Sequence, residues 1–247
     1  MIGTLRTVVI DASDPRRLAA FYTALGGWTE AYADDEWVTI QTPDGWRIAT
    51  QLSPGHVPPR WPDPAYPQQA HLDLRVPDLD AGLAKAVGLG GGLLRKNETW
   101  YTVADPAGHP FDLCLFPEKQ EPGITQVAGV MLDCPDAREL SAFYAELLGK
   151  PVTYEGEGMA MIGEDGAQPV MFQQVTGYHA PRWPDPAYPQ QFHLDVTVDD
   201  VDAAEAAVLK LGATSLSYGG DDSPSIGGEN WRVYADPAGK PFCLCWD

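Results

Sequence analysis

The stretch PRWPDPAYPQQ occurs twice in this chain, at residues 59–69 and again at residues 181–191. The two copies are 122 positions apart (181 minus 59). Eleven consecutive identities do not arise by chance, so they indicate an internal duplication.

Other motifs recur at the same offset. LAAFYTALGG at 18–27 aligns with residues 140–149, and HLD at 71–73 aligns with 193–195. Near the C-termini, DPAG at 105–108 recurs 131 positions later. The second copy therefore contains about nine extra residues, which we assign to the Gly/Ser-rich stretch 219–228. The predicted organisation is a domain at 1–117, a polar linker at 118–125 and a second domain at 126–247.

Each repeat divides into two modules of one kind. Asp14 and Pro15 are typical of a helix start, and apolar residues at 18, 21, 22 and 25 follow helical spacing. The same scheme restarts after the repeated stretch, where Asp78 begins a second helix. In the first repeat, strands are predicted at 7–10, 29–33, 36–41, 47–52, 71–76, 100–103 and 111–116. The pattern predicts an α+β fold with four βαβββ modules, two per repeat.

The composition excludes several classes of protein. The chain has 35 acidic and 16 basic residues, a formal charge of −19. This charge repels nucleic acid and anionic membranes, so we expect neither as a partner. No stretch resembles a signal peptide or a membrane span, which predicts a cytoplasmic protein. We expect the four cysteines to be reduced, since Cys243 and Cys245 lie too close in one strand to pair.

Three motifs, in the same order in both repeats, carry a family resemblance. They are DPRRLAAFYTALGG at 14–27, HLDLRVPD at 71–78 and DPAGHPF at 105–111, with their counterparts in the second repeat. Together they resemble the glyoxalase/bleomycin-resistance domain, also called the vicinal-oxygen-chelate (VOC) domain, over nearly the whole chain. The resemblance implies a curled mixed sheet in each domain, with its hollow side around a cavity and its helices outside.

The resemblance also implies a position for a divalent metal ion. Metal-dependent members of the superfamily hold the ion with four side chains from the first and last strands of two modules. In the first copy these four positions fall on Thr7, on Ala49 or Gln51, on His71 and on Asp112. In the second copy they fall on Gly129, on Met171 or Gln173, on His193 and on Cys243. Two of the four positions in each copy are poor donors, so the resemblance implies an incomplete metal site.

Strand alternation selects the candidate pocket residues. It places His71, Asp73 and Arg75 on one face of their strand, away from the helix, and His193 and Asp195 on the equivalent face in the second copy. The predicted ligand pocket comprises His71, Asp73, Arg75, Asp112, His193, Asp195, Trp61 and Trp183. The two tryptophans either stack on a flat ligand or hold the Pro-rich crossover against the domain.

The candidate metal ligands are His71, Asp112, His193 and Cys243. One set joins His71 and Asp112 with Gln51 and water, and the other joins His193 with Cys243 and Cys245, where zinc, nickel, manganese or iron could bind. Alternatively, each histidine is hydrogen-bonded by Asp73 or Asp195, or by the crossover loop, in a pocket without metal. A third alternative is a metal-free His–Asp general base. We expect no cofactor.

Three functions are compatible with these residues. The first is binding of a small hydrophobic or aromatic molecule, for resistance or sequestration, in a cavity without a complete metal site. The second is a metal-dependent VOC enzyme of the lyase, isomerase or dioxygenase type, and the third is a scaffold that uses neither cavity. Either a monomer with an internal pseudo-twofold or a homodimer is expected. The sequence leaves open whether each cavity draws on one repeat or both.

Overall fold

A computed structural model describes residues 1–63, 66–117, 125–185, 189–217 and 226–247. Apart from Thr125, the predicted linker 118–125 lies outside these residues, as does most of the predicted insertion at 219–228. In the described ranges, no helix has both the length and the apolar character that crossing a membrane requires.

The four predicted βαβββ modules are present. Module 1 comprises β1 (Thr4–Ala12), α1 (Pro15–Gly26), β2 (Thr29–Ala33), β3 (Trp37–Gln41) and β4 (Arg47–Leu52). Module 2 comprises β5 (Ala70–Val76), α2 (Leu79–Gly88), β6 (Gly92–Lys96), β7 (Trp100–Ala104) and β8 (Pro110–Leu115). Module 3 comprises β9 (Gln126–Cys134), α3 (Ala137–Leu148), β10 (Val152–Gly156), β11 (Met159–Ile162) and β12 (Val170–Gln174). Module 4 comprises β13 (Phe192–Thr197), α4 (Val201–Lys210), β14 (Thr214–Ser215), β15 (Trp231–Ala235) and β16 (Pro241–Cys245).

Local sequence determines where the first helix begins and ends. The Asp14 side chain accepts a hydrogen bond from the Arg17 backbone N–H, and Pro15 occupies the first turn. Gly27 ends the helix in the left-handed conformation, with φ of 68°. The predicted helix start and stop are confirmed, because capping chemistry acts locally and can be read from a few residues.

The strands form two open, mixed, eight-stranded sheets. Sheet A has the order β14-β15-β16-β13-β1-β4-β3-β2, and sheet B has the order β10-β11-β12-β9-β5-β8-β7-β6. The α+β class with paired βαβββ modules is confirmed. However, sheet A combines modules 1 and 4, and sheet B combines modules 2 and 3, so each sheet draws on both repeats. In a module taken alone, the first strand lies at the edge, and its outer backbone groups are unpaired in the same way in every module. The sequence pattern within a repeat therefore does not specify which other first strand will pair with it.

The two modules of each sheet join through an antiparallel pair of first strands that contains a β-bulge. In sheet A, β1 pairs with β13 and the register shifts between Leu5 and Thr7, which leaves Arg6 as the extra residue. In sheet B, β5 pairs with β9, and Ala128 is the extra residue between Val127 and Gly129. The bulge is therefore part of the duplicated unit and re-aims the side chains beside it.

The repeated stretch ends in a symmetric hydrogen-bonded clasp. The Gln69 backbone N–H donates to Gln191 Oε1 at 3.1 Å, and the Gln191 N–H donates to Gln69 Oε1 at 2.8 Å. In addition, Gln69 Nε2 donates to the Pro189 carbonyl at 2.9 Å, and Gln191 Nε2 donates to the Pro67 carbonyl at 3.1 Å. Since each copy binds its counterpart by the same groups, the clasp gives a physical reason for identical sequence at this point.

A single hydrophobic cluster includes residues from all four modules. Helix α1 buries Leu18, Phe21 and Tyr22 on its strand-facing side, as the helical spacing predicted. The Tyr22 hydroxyl donates to Asp105 Oδ2 at 2.9 Å, and Tyr144 donates to Asp236 Oδ2 at 2.9 Å. The aspartate of each DPAG turn therefore binds the helix of the other module of its own repeat, which connects the two sheets.

Candidate functional site

The hollow side of sheet A contains a cavity of about 750 Å³. The strands provide polar groups, among them Thr7, Gln51, His193 and Asp195. The outer strands and the crossover loop provide aromatic groups, namely Tyr32, Trp37, Trp183 and Trp231. The cavity therefore combines aromatic walls with polar groups from both modules.

A crossover glutamine orients His193. The Gln190 Nε2 atom lies 3.2 Å from His193 Nδ1 and 3.3 Å from Asp11 Oδ1. Burial lowers the pKa of His193 more than Asp195 raises it, so the ring is neutral at pH 7. Gln190 Nε2 donates to Asp11 Oδ1, and an amide NH₂ group donates but does not accept, so Nδ1 accepts from it and the ring hydrogen of the neutral imidazole is on Nε2. His193 therefore offers an N–H donor on the side of Asp195, whose carboxylate is 3.6 Å away.

His193 lies within a group of candidate metal ligands in sheet A. His193, Asp195 and Cys243 have donor atoms within 4.8 Å of one another. Burial, followed by the charge of Asp195, raises the pKa of the Cys243 thiol well above its usual range. Without a metal, the Cys243 thiol and His193 Nε2 both hold protons, and a cation bound by this set would have to displace them.

Sheet B brings His71, Asp73 and Asp112 together on its corresponding strands. His71 Nε2 lies 3.3 Å from Asp73 Oδ1 and 3.8 Å from Asp112 Oδ2. Burial lowers the pKa of His71, but the carboxylates of Asp73, Asp112 and Asp133 outweigh burial and raise it to about 9. His71 is therefore an imidazolium at pH 7, in contrast to His193. On the other side of the ring, Gln68 Nε2 lies 3.2 Å from His71 Nδ1.

The sheet B cluster fits a divalent cation in donor type. Imidazole and two carboxylates suit manganese, iron or zinc. Asp73 Oδ1 is buried and has no aligned hydrogen-bond donor in the described part of the chain. A cation here would replace the proton of His71. Gln173 lies on the same sheet, and its Nε2 donates to Asp133 Oδ1 at 2.6 Å.

The predicted grouping of Gln51 with His71 and Asp112 is wrong. Gln51 lies on sheet A and lines the cavity that contains His193. The sequence grouped these residues by repeat, whereas the sheets combine modules from different repeats.

The other predicted pocket residues lie in different environments. Trp183 lines the sheet A cavity. Trp61 instead packs under the Arg95 guanidinium, 4.5 Å from ring centre to Cζ. Arg75 forms an ion pair with Asp165 and stacks on Phe116 at 4.5 Å.

Sequence reasoning missed the glutamines that orient both histidines. Gln68 Nε2 contacts His71 Nδ1 and donates to Asp133 Oδ1 at 3.2 Å, which repeats the arrangement of Gln190. The available signal was their position inside the letter-for-letter repeat, immediately before the clasp residues. Arg6 and Arg47, which also line the sheet A cavity, had no such signal.

The paired βαβββ modules, with a histidine on the hollow side of each sheet, define a class of open curled-sheet proteins built by duplication. A model of the glyoxalase-like domain matches residues 7–114 and again 129–245. The chain therefore belongs to the glyoxalase-like domain family and contains two tandem copies of the domain. No curated protein matches the sequence.

Solved structures show the same fold. Glyoxalase I from Zea mays has a TM-score of 0.65 and 17% identity, with 98% of this chain and 92% of that chain covered. A proposed dioxygenase from Bacillus subtilis subsp. subtilis str. 168 has a TM-score of 0.61 and 10% identity, with 100% and 86% covered. At these identities, the likeness concerns the fold alone.

Proposed function

We propose that this protein binds a small aromatic or hydrophobic organic molecule in the cavity of sheet A and sequesters it. The observation that carries the proposal is the set of four aromatic side chains around a polar floor. A volume of about 750 Å³ is in the range typical of small-molecule pockets. Aromatic rings supply contact area with few rotatable bonds, which favours flat organic ligands.

The polar floor supplies a donor and an acceptor to orient such a ligand. His193 presents its Nε2–H, as described above. Gln51 Oε1 is buried and has no hydrogen-bond partner within the described ranges. A ligand with one oxygen acceptor and one hydroxyl or amide donor would satisfy both groups, and leaving them unpaired carries a free-energy cost.

The test uses an uncharged aromatic probe and a matched pair of variants. Trp231 lines the cavity of sheet A, and Trp100 occupies the equivalent position in sheet B, with similar exposure of 38% and 42%. We expect N-phenyl-1-naphthylamine to bind saturably by fluorescence titration. Trp231→Ala should weaken binding about fivefold, because one aromatic contact is lost, whereas Trp100→Ala should change it less than twofold. No saturable binding, or equal effects of both variants, would contradict the proposal.

A second candidate function is favoured by one specific observation at sheet B. The donor atoms of His71, Asp73 and Asp112 lie within 4.8 Å of one another, and Asp73 Oδ1 lacks an aligned donor. This set would hold a divalent ion in a metal-dependent lyase or isomerase, where the ion would act as a Lewis acid. Metal analysis of purified and reconstituted protein tests it. Near-stoichiometric metal that is lost in Asp112→Asn supports it, and metal-free protein after reconstitution with zinc, nickel, manganese and iron excludes it.

A further inference from the structure

We propose that the ligand of the sheet A cavity is an organic anion, an aromatic body carrying a carboxylate or similar oxyanion that Arg6 and Arg47 bind. This inference rests on the proposed function, because it names the chemical class of ligand for the same cavity. It depends on the placement of two arginines and on the absence, among the described residues, of acidic partners for them.

The β-bulge brings Arg6 to the cavity. Along a regular strand, Arg6 and Thr7 would point to opposite faces of the sheet. The bulge leaves Arg6 opposite no residue of β13, between the pairs Leu5–Val196 and Thr7–Asp195. As a result, Arg6 and Thr7 both line the cavity. Arg6 is half-buried there.

Arg47 lies at the same end of the cavity. Strands β1 and β4 are parallel, with Val8 beside Ile48, so Arg47, the first residue of β4, comes beside Thr7. Gln51 lies at the opposite end of the cavity. In the strand register it is beside Asp11 of β1 on one side and beside Trp37 of β3 on the other. Asp195 lies opposite Thr7 on β13, so its carboxylate belongs to the same end as the arginines. Among the described residues, the cavity therefore has one end with two arginines and one carboxylate, which carries a net positive charge, and another end with the neutral Gln51 amide.

Neither arginine has an acidic partner in the described residues, although the chain carries a net charge of −19. Four arginines outside the cavity lie against carboxylates: Arg16, Arg75, Arg138 and Arg232. No such ion pair is found for Arg6 or Arg47 within the ranges that the structure describes. Among the cavity-lining residues that the structure describes, Asp195 is the one acidic residue beside the two arginines, so these residues carry one excess positive charge.

The arginine pair is confined to one of the two sheets. The duplication places Ala128 and Pro169 at the positions of Arg6 and Arg47 in sheet B. Sheet B retains the bulge but lacks both guanidinium groups. The arginines are therefore not needed to form the shared fold. A guanidinium recognises a planar oxyanion through parallel N–H donors, so carboxylates and similar groups match this end.

The test compares two probes that differ in one sulfonate. 8-Anilino-1-naphthalenesulfonate carries the anion, and N-phenyl-1-naphthylamine is the same ring system without it. We expect the wild-type protein to bind the sulfonate more tightly than the uncharged probe. In Arg6→Gln/Arg47→Gln, which keeps much of the side-chain length, sulfonate binding should weaken about tenfold or more, and binding of the uncharged probe should change less than twofold.

Two further variants serve as controls. Arg17→Gln removes an exposed arginine on α1 and should affect neither probe. Arg6→Lys/Arg47→Lys keeps the charge and should retain more of the sulfonate affinity than the glutamine variant. All variants should keep the wild-type thermal transition, which separates loss of binding from loss of folding.

The outcomes separate this inference from the proposed function. If the uncharged probe binds in a Trp231-dependent manner but the sulfonate gains nothing from the arginines, the anion assignment is refuted and the cavity proposal stands. If neither probe binds, or if Trp231→Ala has no effect on either, the cavity proposal fails and the anion assignment fails with it.

Discussion

The clasp between the two crossover segments allows a quantitative prediction. Gln69→Ala removes two hydrogen bonds, the one that Gln69 Oε1 accepts from the Gln191 N–H and the one that Gln69 Nε2 donates to the Pro189 carbonyl. Both glutamines are buried, so the two former partners remain without water in easy reach. A buried group left unpaired costs about 1 to 3 kcal/mol, and two such groups give an expected loss of about 2 to 6 kcal/mol.

Urea unfolding followed by tryptophan fluorescence measures this loss directly. Gln191→Ala removes the other two bonds of the clasp and should cost a similar amount, because the two sides are related by the pseudo-twofold. Gln174→Ala, at an exposed position in β12, is the matched control and should change the free energy of unfolding by less than about 0.5 kcal/mol. If Gln69→Ala costs no more than this control, the clasp does not stabilise the fold and our explanation of the identical repeat is wrong.

Two further predictions concern buried polar groups between the sheets. Tyr144→Phe should lower the free energy of unfolding by about 1.5 to 3 kcal/mol in the same urea assay, because the buried Asp236 carboxylate loses a hydrogen bond; an unchanged midpoint would contradict this. His109 is buried, and burial lowers its pKa to about 4. Its neutral form is favoured by folding, so its contribution to stability is present above pH 6.5 and is lost as the pH falls toward 4. Between pH 7 and pH 4, wild-type protein should therefore lose about 3 kcal/mol more than His109→Gln, which does not titrate. Parallel unfolding curves at each pH measure the difference. Burial raises the pKa of Asp11 to about 7 and that of Asp105 to about 6, so protonation of these carboxyls favours the folded state as the pH falls. This opposite effect on stability occurs in both the wild-type protein and His109→Gln. Equal losses would refute the assignment.

Much of the fold could be predicted because its signals are local. The Asp14–Pro15 helix start and the helical spacing of Leu18 to Leu25 each depend on a few neighbouring residues. The pairing of β1 with β13 joins segments far apart in the chain. Nothing within one module distinguishes β13 from β5 as a partner, because pairing between first strands uses backbone groups that all modules share.

The candidate site was predictable only in part for the same reason. Strand alternation placed His71 and Asp73 on one face, and the structure brings their side chains together. In sheet B, the hydrogen bond and charge of Asp73, together with the charges of nearby carboxylates, outweigh burial and raise the pKa of His71. In sheet A, burial outweighs the charge of Asp195 and lowers the pKa of His193. Burial depends on the assembled fold and is not visible in a motif. Arg6 reaches the cavity through a bulge, which strict alternation does not predict.

The exchange of modules between the repeats also determines which piece of the chain could be transplanted as a unit. Sheet B is formed by β5 to β12, one continuous run of chain, whereas sheet A is formed by the two ends. The two PRWPDPAYPQQ stretches lie immediately before β5 and immediately before β13, so they flank that continuous run. Recombination between two genes of this kind at those identical stretches would replace the whole lining of one hollow and leave the other intact. An exchange at the midpoint of the chain would instead create two hybrid hollows at once.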